Sequence, residues 1–160
     1  MTELEIPNFG ELLGDLIGSL SSAGLPGFLA GLEREAAGRY RAWAQATPDE
    51  STGLLACAAR EDEIAERVER LFPLPEADRP ALEKNLPEAR KRYFQAFEGL
   101  TVVQQITIQA NAERQGAQAW RGMAVAGQAE GAAREELLAC AALEEASADH
   151  LDALLGRLGE

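Results

Sequence analysis

Leu54–Ala59 reads LLACAA, and Leu137–Ala142 reads LLACAA again. Each copy runs on into an acidic helical segment, EDEIAERVERL from Glu61 and EEASADHLDAL from Glu144. An offset of 83 residues (137 minus 54) lays Glu61 on Glu144, Ala65 on Ala148 and Val68 on Leu151. Self-similarity of this length predicts a fold made of two similar halves.

The match continues upstream. Glu33-Arg34 precedes the first copy and Glu113-Arg114 the second, at an offset of 80 residues (113 minus 33), which sets Ala37 on Ala117, Tyr40 on Trp120 and Arg41 on Arg121. The three-residue difference between the offsets predicts a longer connecting loop in the second half. Each half then reads as a helical hairpin with one carboxylate near the middle of each arm: Glu33 and Glu61, then Glu113 and Glu144.

Composition agrees with helices throughout. The 160 residues are rich in Ala, Leu, Glu, Arg and Gln, and the one β-branched run is TVVQQITI at Thr101–Ile108. Good helix formers in that abundance predict an all-α protein, and one domain of this length can bury a real core. The net charge of −12 excludes nucleic acid, whose phosphates need a positive surface, and disfavours anionic membranes. The opening stretch MTELEIPNFGELLGDL carries acids where an export signal would be positive, and no run is apolar enough to span a bilayer. The expectation is a soluble, cytoplasmic protein.

In chain order, residues 1–24 are expected to hold an N-terminal amphipathic helix over Ile6–Gly24, capped by Asn8 and packed across the bundle or on a partner subunit. Residues 25–160 are expected to form the repeat domain. Leu25-Pro26 opens its first helix, which runs to about Ala46 with Leu29, Leu32/Glu33, Ala36/Ala37, Tyr40 and Trp43/Ala44 inward. Thr47 reads as the cap of a second helix reaching about Phe72, with Leu54, Cys57/Ala58, Glu61, Ile64/Ala65, Val68 and Leu71/Phe72 inward. Pro73, Pro75 and Pro80 mark a long crossover, Ala81–Asn85 is at most a short helical piece, and Pro87 starts a helix through Phe97. From Thr101 a third repeat helix runs to about Ala126, with Val102/Val103, Ile106, Gln109/Ala110, Glu113, Gly116/Ala117, Trp120 and Met123/Ala124 inward. Gly127–Gly131 is the loop, and a fourth helix spans roughly Ala132–Leu158 with Leu137, Cys140/Ala141, Glu144, Ser147/Ala148, Leu151 and Leu154/Leu155 inward.

One glutamate on an apolar stripe could be a boundary residue reaching for water. Four, one per helix and related by the repeat, converge on the bundle centre. Carboxylates gathered in a low-dielectric core repel one another and lose hydration, so the centre needs protons, water or a cation.

These residues resemble the ferritin-like superfamily, in its rubrerythrin-like branch, over about Leu29–Phe72 and Ile106–Leu155. The resemblance implies a four-helix bundle in which each half gives a glutamate from one helix and a Glu-x-x-His pair from the next, around a di-iron centre. Glu33 and Glu113 match the lone glutamates, with Tyr40 and Trp120 as the aromatic residue seven positions on. Glu61 and Glu144 match the paired glutamates. The family's histidine positions hold Ile64 and Ser147 instead. The single histidine, His150, aligns with Arg67 and reads as a surface residue.

Without imidazole the centre has oxygen ligands alone, which favour Mg, Ca or Mn over a tuned iron pair. Gln109, one turn before Glu113, offers an amide oxygen. Cys57 and Cys140, one turn before Glu61 and Glu144, could serve as thiolate ligands, as a redox pair, or simply as small core residues. Tyr40 and Trp120 could relay an electron or merely fill the core. Two functions follow: a metal- or oxygen-handling protein with a divalent metal pair (Fe, Mn or other) and an unknown electron-donor partner, or a non-enzymatic scaffold with a degenerate site. A homodimer through Ile6–Leu20 or the Phe94/Phe97 helix is expected in either case.

Overall fold

A computed structural model describes residues 3–126 and 130–159. Among the described residues the regular structure is helical throughout, with no strand: α1 (Phe9–Leu12), α2 (Gly14–Gly18), α3 (Leu25–Ala46), α4 (Ser51–Leu71), α5 (Arg79–Phe97), α6 (Val102–Val125) and α7 (Ala132–Leu158). The chain forms two compact units, one from Leu13–Phe94 and one from the chain up to Leu12 together with the chain from Gln95 onward. No helix among the described residues is long and apolar enough to cross a membrane.

In the unit Leu13–Phe94, α3 and α4 pair along their lengths as a hairpin. Pro26 occupies the first turn of α3, where its missing N–H breaks no hydrogen bond. Alanines at positions 37, 58 and 65 are buried, so two backbones approach closely and the larger Tyr40, Leu54, Ile64 and Val68 fill the space around them. The Thr47 hydroxyl does not cap α4. It donates to the Trp43 carbonyl at 2.7 Å and closes the end of α3, while a single 3-10 turn, Pro48–Glu50, separates it from α4.

α5 differs most from expectation. It runs unbroken through Pro87, which lacks the N–H that would bond one turn back. Side-chain anchors hold the helix on both sides of that gap. Asn85 Nδ2 donates to Ser19 Oγ at 2.8 Å, Arg90 pairs with Glu35 at 2.6 Å and Arg92 with Asp15 at 2.6 Å. Leu86 also sits over Gly31 so closely that a Cβ there would lie 2.6 Å from it. The start of α3 is therefore covered on a second face, and Phe28 and Ala30, outside the expected stripe, are buried.

The single helix expected over Ile6–Gly24 is instead two short ones. Asn8 caps the first as expected, accepting from the Glu11 amide at 3.0 Å. The chain leaves the helix at Leu13 (φ −105°, ψ 5°), between Gly10 and Gly14, where glycine's low helix propensity makes a break inexpensive.

In the second unit α6 and α7 pair as a hairpin. Thr101 and Gln104 form a reciprocal capping box, at 3.2 Å and 2.9 Å, that makes Thr101–Ile108 helical despite its β-branched residues. Gln115 clamps the start of the chain, accepting from the Phe9 amide at 2.9 Å and donating to the Pro7 carbonyl at 2.9 Å. Burial of Trp120 alone removes roughly 150–250 Å² from water, a gross gain of about 4–6 kcal/mol at 25 cal/mol per Å². The expected loop Gly127–Gly131 lies largely outside the described residues; Gly131, at φ 58°, adopts the left-handed region that favours glycine.

The ion pairs joining the arms of each hairpin fall at the repeat's own offsets. Arg34 pairs with Glu69 and Arg41 with Asp62; Arg114 pairs with Asp152 and Arg121 with Glu145. All are largely exposed, so each adds at most about 1 kcal/mol.

Candidate metal centre

Each of the four glutamates sits on a helix whose inward positions are otherwise mainly apolar, and that phase carries the carboxylate away from water. Glu61 is 0% exposed, Glu113 1% and Glu144 2%, while Glu33 is half-buried. Carboxylates are among the residues least often fully buried without compensation, so three of this kind ask what compensates them.

Part of the answer comes from neutral donors in the α6/α7 hairpin. Gln109 Nε2, one turn before Glu113 on α6, donates to Glu113 Oε1 at 2.8 Å, inside the protein. The expected contribution of Gln109 was an amide oxygen; its amide N–H serves the glutamate instead. Trp120 Nε1 donates from α6 to Glu144 Oε1 on α7 at 3.1 Å. The indole thus fills the core and also satisfies a carboxylate.

Gly116 completes the cradle. A Cβ at this position would lie 2.6 Å from Glu144 Oε1 and 2.9 Å from its Cδ, so only glycine lets the carboxylate lie against the α6 backbone. The sequence placed Gly116 inward without a role. A glycine within a helix costs roughly 1 kcal/mol against alanine, and that cost was the available signal.

Glu33 on α3 and Glu61 on α4 each offer a carboxylate oxygen, and these two oxygens lie within 4.8 Å of one another. The donor set is oxygen throughout and matches hard divalent cations.

At the positions where a Glu-x-x-His pair would place imidazoles, Ile64 and Ser147 are both fully buried. His150 is half-buried, its Nε2 shut off from water, rather than a plain surface residue. Cys57 and Cys140 are buried thiols outside any disulfide, and Arg60 Nη2 lies 3.3 Å from the Cys57 sulfur. Tyr40 is buried edge-on against Trp43, with ring centres 5.5 Å apart at 80°. Compared with known proteins, the chain matches no family model, no curated protein and no solved structure.

Proposed function

We propose that this chain is a metal-binding protein of ferritin-like design, its two hairpins closing into a four-helix bundle around Glu33, Glu61, Glu113 and Glu144. The observation that carries this reading is the pair Glu33 and Glu61, whose oxygens lie within 4.8 Å of one another, with Glu113 and Glu144 buried at the matching positions of the second hairpin. Like charges at that spacing in a poorly polarisable interior repel strongly, and a divalent cation converts the repulsion into attraction. Retention of such residues also argues for use, because apolar replacements of buried charges are often neutral or stabilising. The recurrence of glutamates and ion pairs at offsets of 80 and 83 residues supports a duplicated hairpin as the origin of the arrangement.

Glu33, Glu61, Glu113 and Glu144 would together hold the metal pair, with Glu113 kept in place by Gln109. A bound manganese or iron pair would supply redox or oxygen chemistry; Mg or Ca would supply charge alone. The protein's own part is to position four oxygens and to keep water out with Ile64, Tyr40 and Trp120. Calorimetric titration with Mn²⁺ tests the reading: saturable binding that disappears in Glu61→Ala/Glu144→Ala is expected, and absence of binding in the unaltered chain would refute it.

One observation favours a second reading. Ile64 is fully buried and apolar where the resemblance places a ligand, as a scaffold with a retired centre would have it. Under that reading the double variant is as stable as, or more stable than, the parent and no metal is carried.

A homodimer belongs to either reading. Phe9, Leu13, Leu16 and Phe97 are buried within the chain, whereas Ile6 is 36% and Phe94 68% exposed, which supports Phe94 as the centre of the proposed contact. A monomeric mass by light scattering would remove it.

A further inference from the structure

We infer that the N-terminal arm ending at Leu12 exchanges between two copies of this chain, with Leu13 as the hinge. The arm of one copy takes the place on α6 of the other that it holds here on its own. The inference goes beyond the metal reading and does not rest on it.

The arm is gripped through its main chain. Gln115 on α6 accepts from the Phe9 amide at 2.9 Å and donates from Nε2 to the Pro7 carbonyl at 2.9 Å. The same Nε2 donates to Asn111 Oδ1 at 2.7 Å, one turn earlier on α6, which fixes the direction of the amide group. Phe9 opens α1, so the clamp satisfies an amide that a helix start leaves without an internal acceptor. Its ring follows into the interior, leaving the residue 6% exposed.

The arm and the chain after it belong to different units. α2 is tied within Leu13–Phe94, where Arg92 pairs with Asp15 at 2.6 Å and Asn85 Nδ2 donates to the Leu16 carbonyl at 3.3 Å and to Ser19 Oγ at 2.8 Å. Leu13 stands between these two attachments, and there the chain leaves helical angles. Phe9, Leu12, Leu13, Leu16, Ile17 and Leu20 nevertheless keep helical spacing through the joint. Turning Leu13 to helical angles merges α1 and α2 into one helix and carries the arm off its own α6. A second copy opened in the same way offers the same Gln115 and Asn111 and restores what each arm has left.

Exchange of an identical element is a low-cost route to a dimer, and short hinges favour it. A foreign peptide offers the main-chain groups alone. The buried Phe9 and the Asn8 cap on the Glu11 amide, at 3.0 Å, come with this segment. The occupant is therefore the arm of a second copy.

Two substitutions at the joint test this in opposite directions. The Cβ of Gly14→Ala meets nothing within 4 Å and favours the continuous helix. Gly14→Pro is accepted at the first position of α2 but breaks a continuous helix. Light scattering on chains refolded together at high concentration is expected to show a dimerisation constant roughly fivefold higher in Gly14→Ala and roughly a hundredfold lower in Gly14→Pro. Equal dimerisation in the two variants overturns the inference. Should either variant not fold, the unaltered chain decides, as equal parts of ¹³C-labelled and unlabelled protein refolded together. Nuclear Overhauser contacts from Phe9 of one copy to Gln115 of the other are expected. A dimer in which those contacts stay within one copy overturns the exchange and leaves the Phe94 contact standing. A chain that is monomeric under these conditions overturns both, and the metal reading is unaffected.

Discussion

The indole N–H of Trp120 donates to Oε1 of Glu144 across 3.1 Å, from one arm of a helical hairpin to the other. A neutral donor stabilises the carboxylate without cancelling its charge. Glu144 thus enters the core with one oxygen hydrogen-bonded to a fixed donor. Glu113 is served in the same manner by Gln109. The hairpin therefore holds two buried carboxyl groups, each fixed in direction by a neutral donor on α6.

Gly116 should be intolerant of the smallest side chain. Gly116→Ala improves helix propensity by up to about 1 kcal/mol, but its Cβ must displace the Glu144 carboxylate, and overpacking of this kind costs about 1–3 kcal/mol. Urea denaturation is expected to show net destabilisation together with weakened Mn²⁺ binding. Gly122→Ala on the same helix, where nothing lies within 4 Å of the new Cβ, is expected to stabilise. Equal effects from the two substitutions would deny the cradle.

The capping box gives a prediction independent of the metal. Thr101→Ala removes the acceptor for the Gln104 amide and should lower stability by about 1 kcal/mol. The loss should appear in thermal melts with Mn²⁺ affinity unchanged, because the cap lies three turns from Glu113.

Acid should release one specific anchor. The Arg92 guanidinium beside Asp15 lowers that carboxyl from its ordinary 3.8 to about 2. A depressed folded-state value contributes stability above the unfolded value and loses it as pH falls through the folded one. The difference in Tm between the parent and Asp15→Asn should therefore be constant above pH 3.8 and close as pH falls towards 2. A difference that persists at pH 2 would mean that packing, not the ion pair, secures α2 to α5.

Much of this was legible in the sequence where periodicity and punctuation agree. Apolar residues at helical spacing, bounded by Pro26 and by Gly131, located α3 and α7 closely, and the same phase located Glu61, Glu113 and Glu144 in the interior. The remainder depends on contacts between segments distant in the chain. Pro87 reads locally as a helix start, and only the anchors on Asp15, Ser19 and Glu35 explain an unbroken α5. Phe28 lies outside the α3 stripe because Leu86 and its neighbours cover a second face. Thr47 chose the carbonyl behind it over the amides ahead, a competition that composition does not decide. The capping box was visible as Thr101-x-x-Gln104 but was masked by the β-branched residues around it. The roles of Gly116 and Trp120 required the distance from α6 to a side chain on α7.

The central claim is that the glutamates of the two hairpins hold a cation, and diffraction from crystals grown with Mn²⁺, measured at the manganese absorption edge, tests it most directly. The account predicts an anomalous peak among the carboxylates of Glu33, Glu61, Glu113 and Glu144, lost in Glu61→Ala/Glu144→Ala. Ordered carboxylates in Mn²⁺-saturated crystals with no anomalous density among them would contradict it.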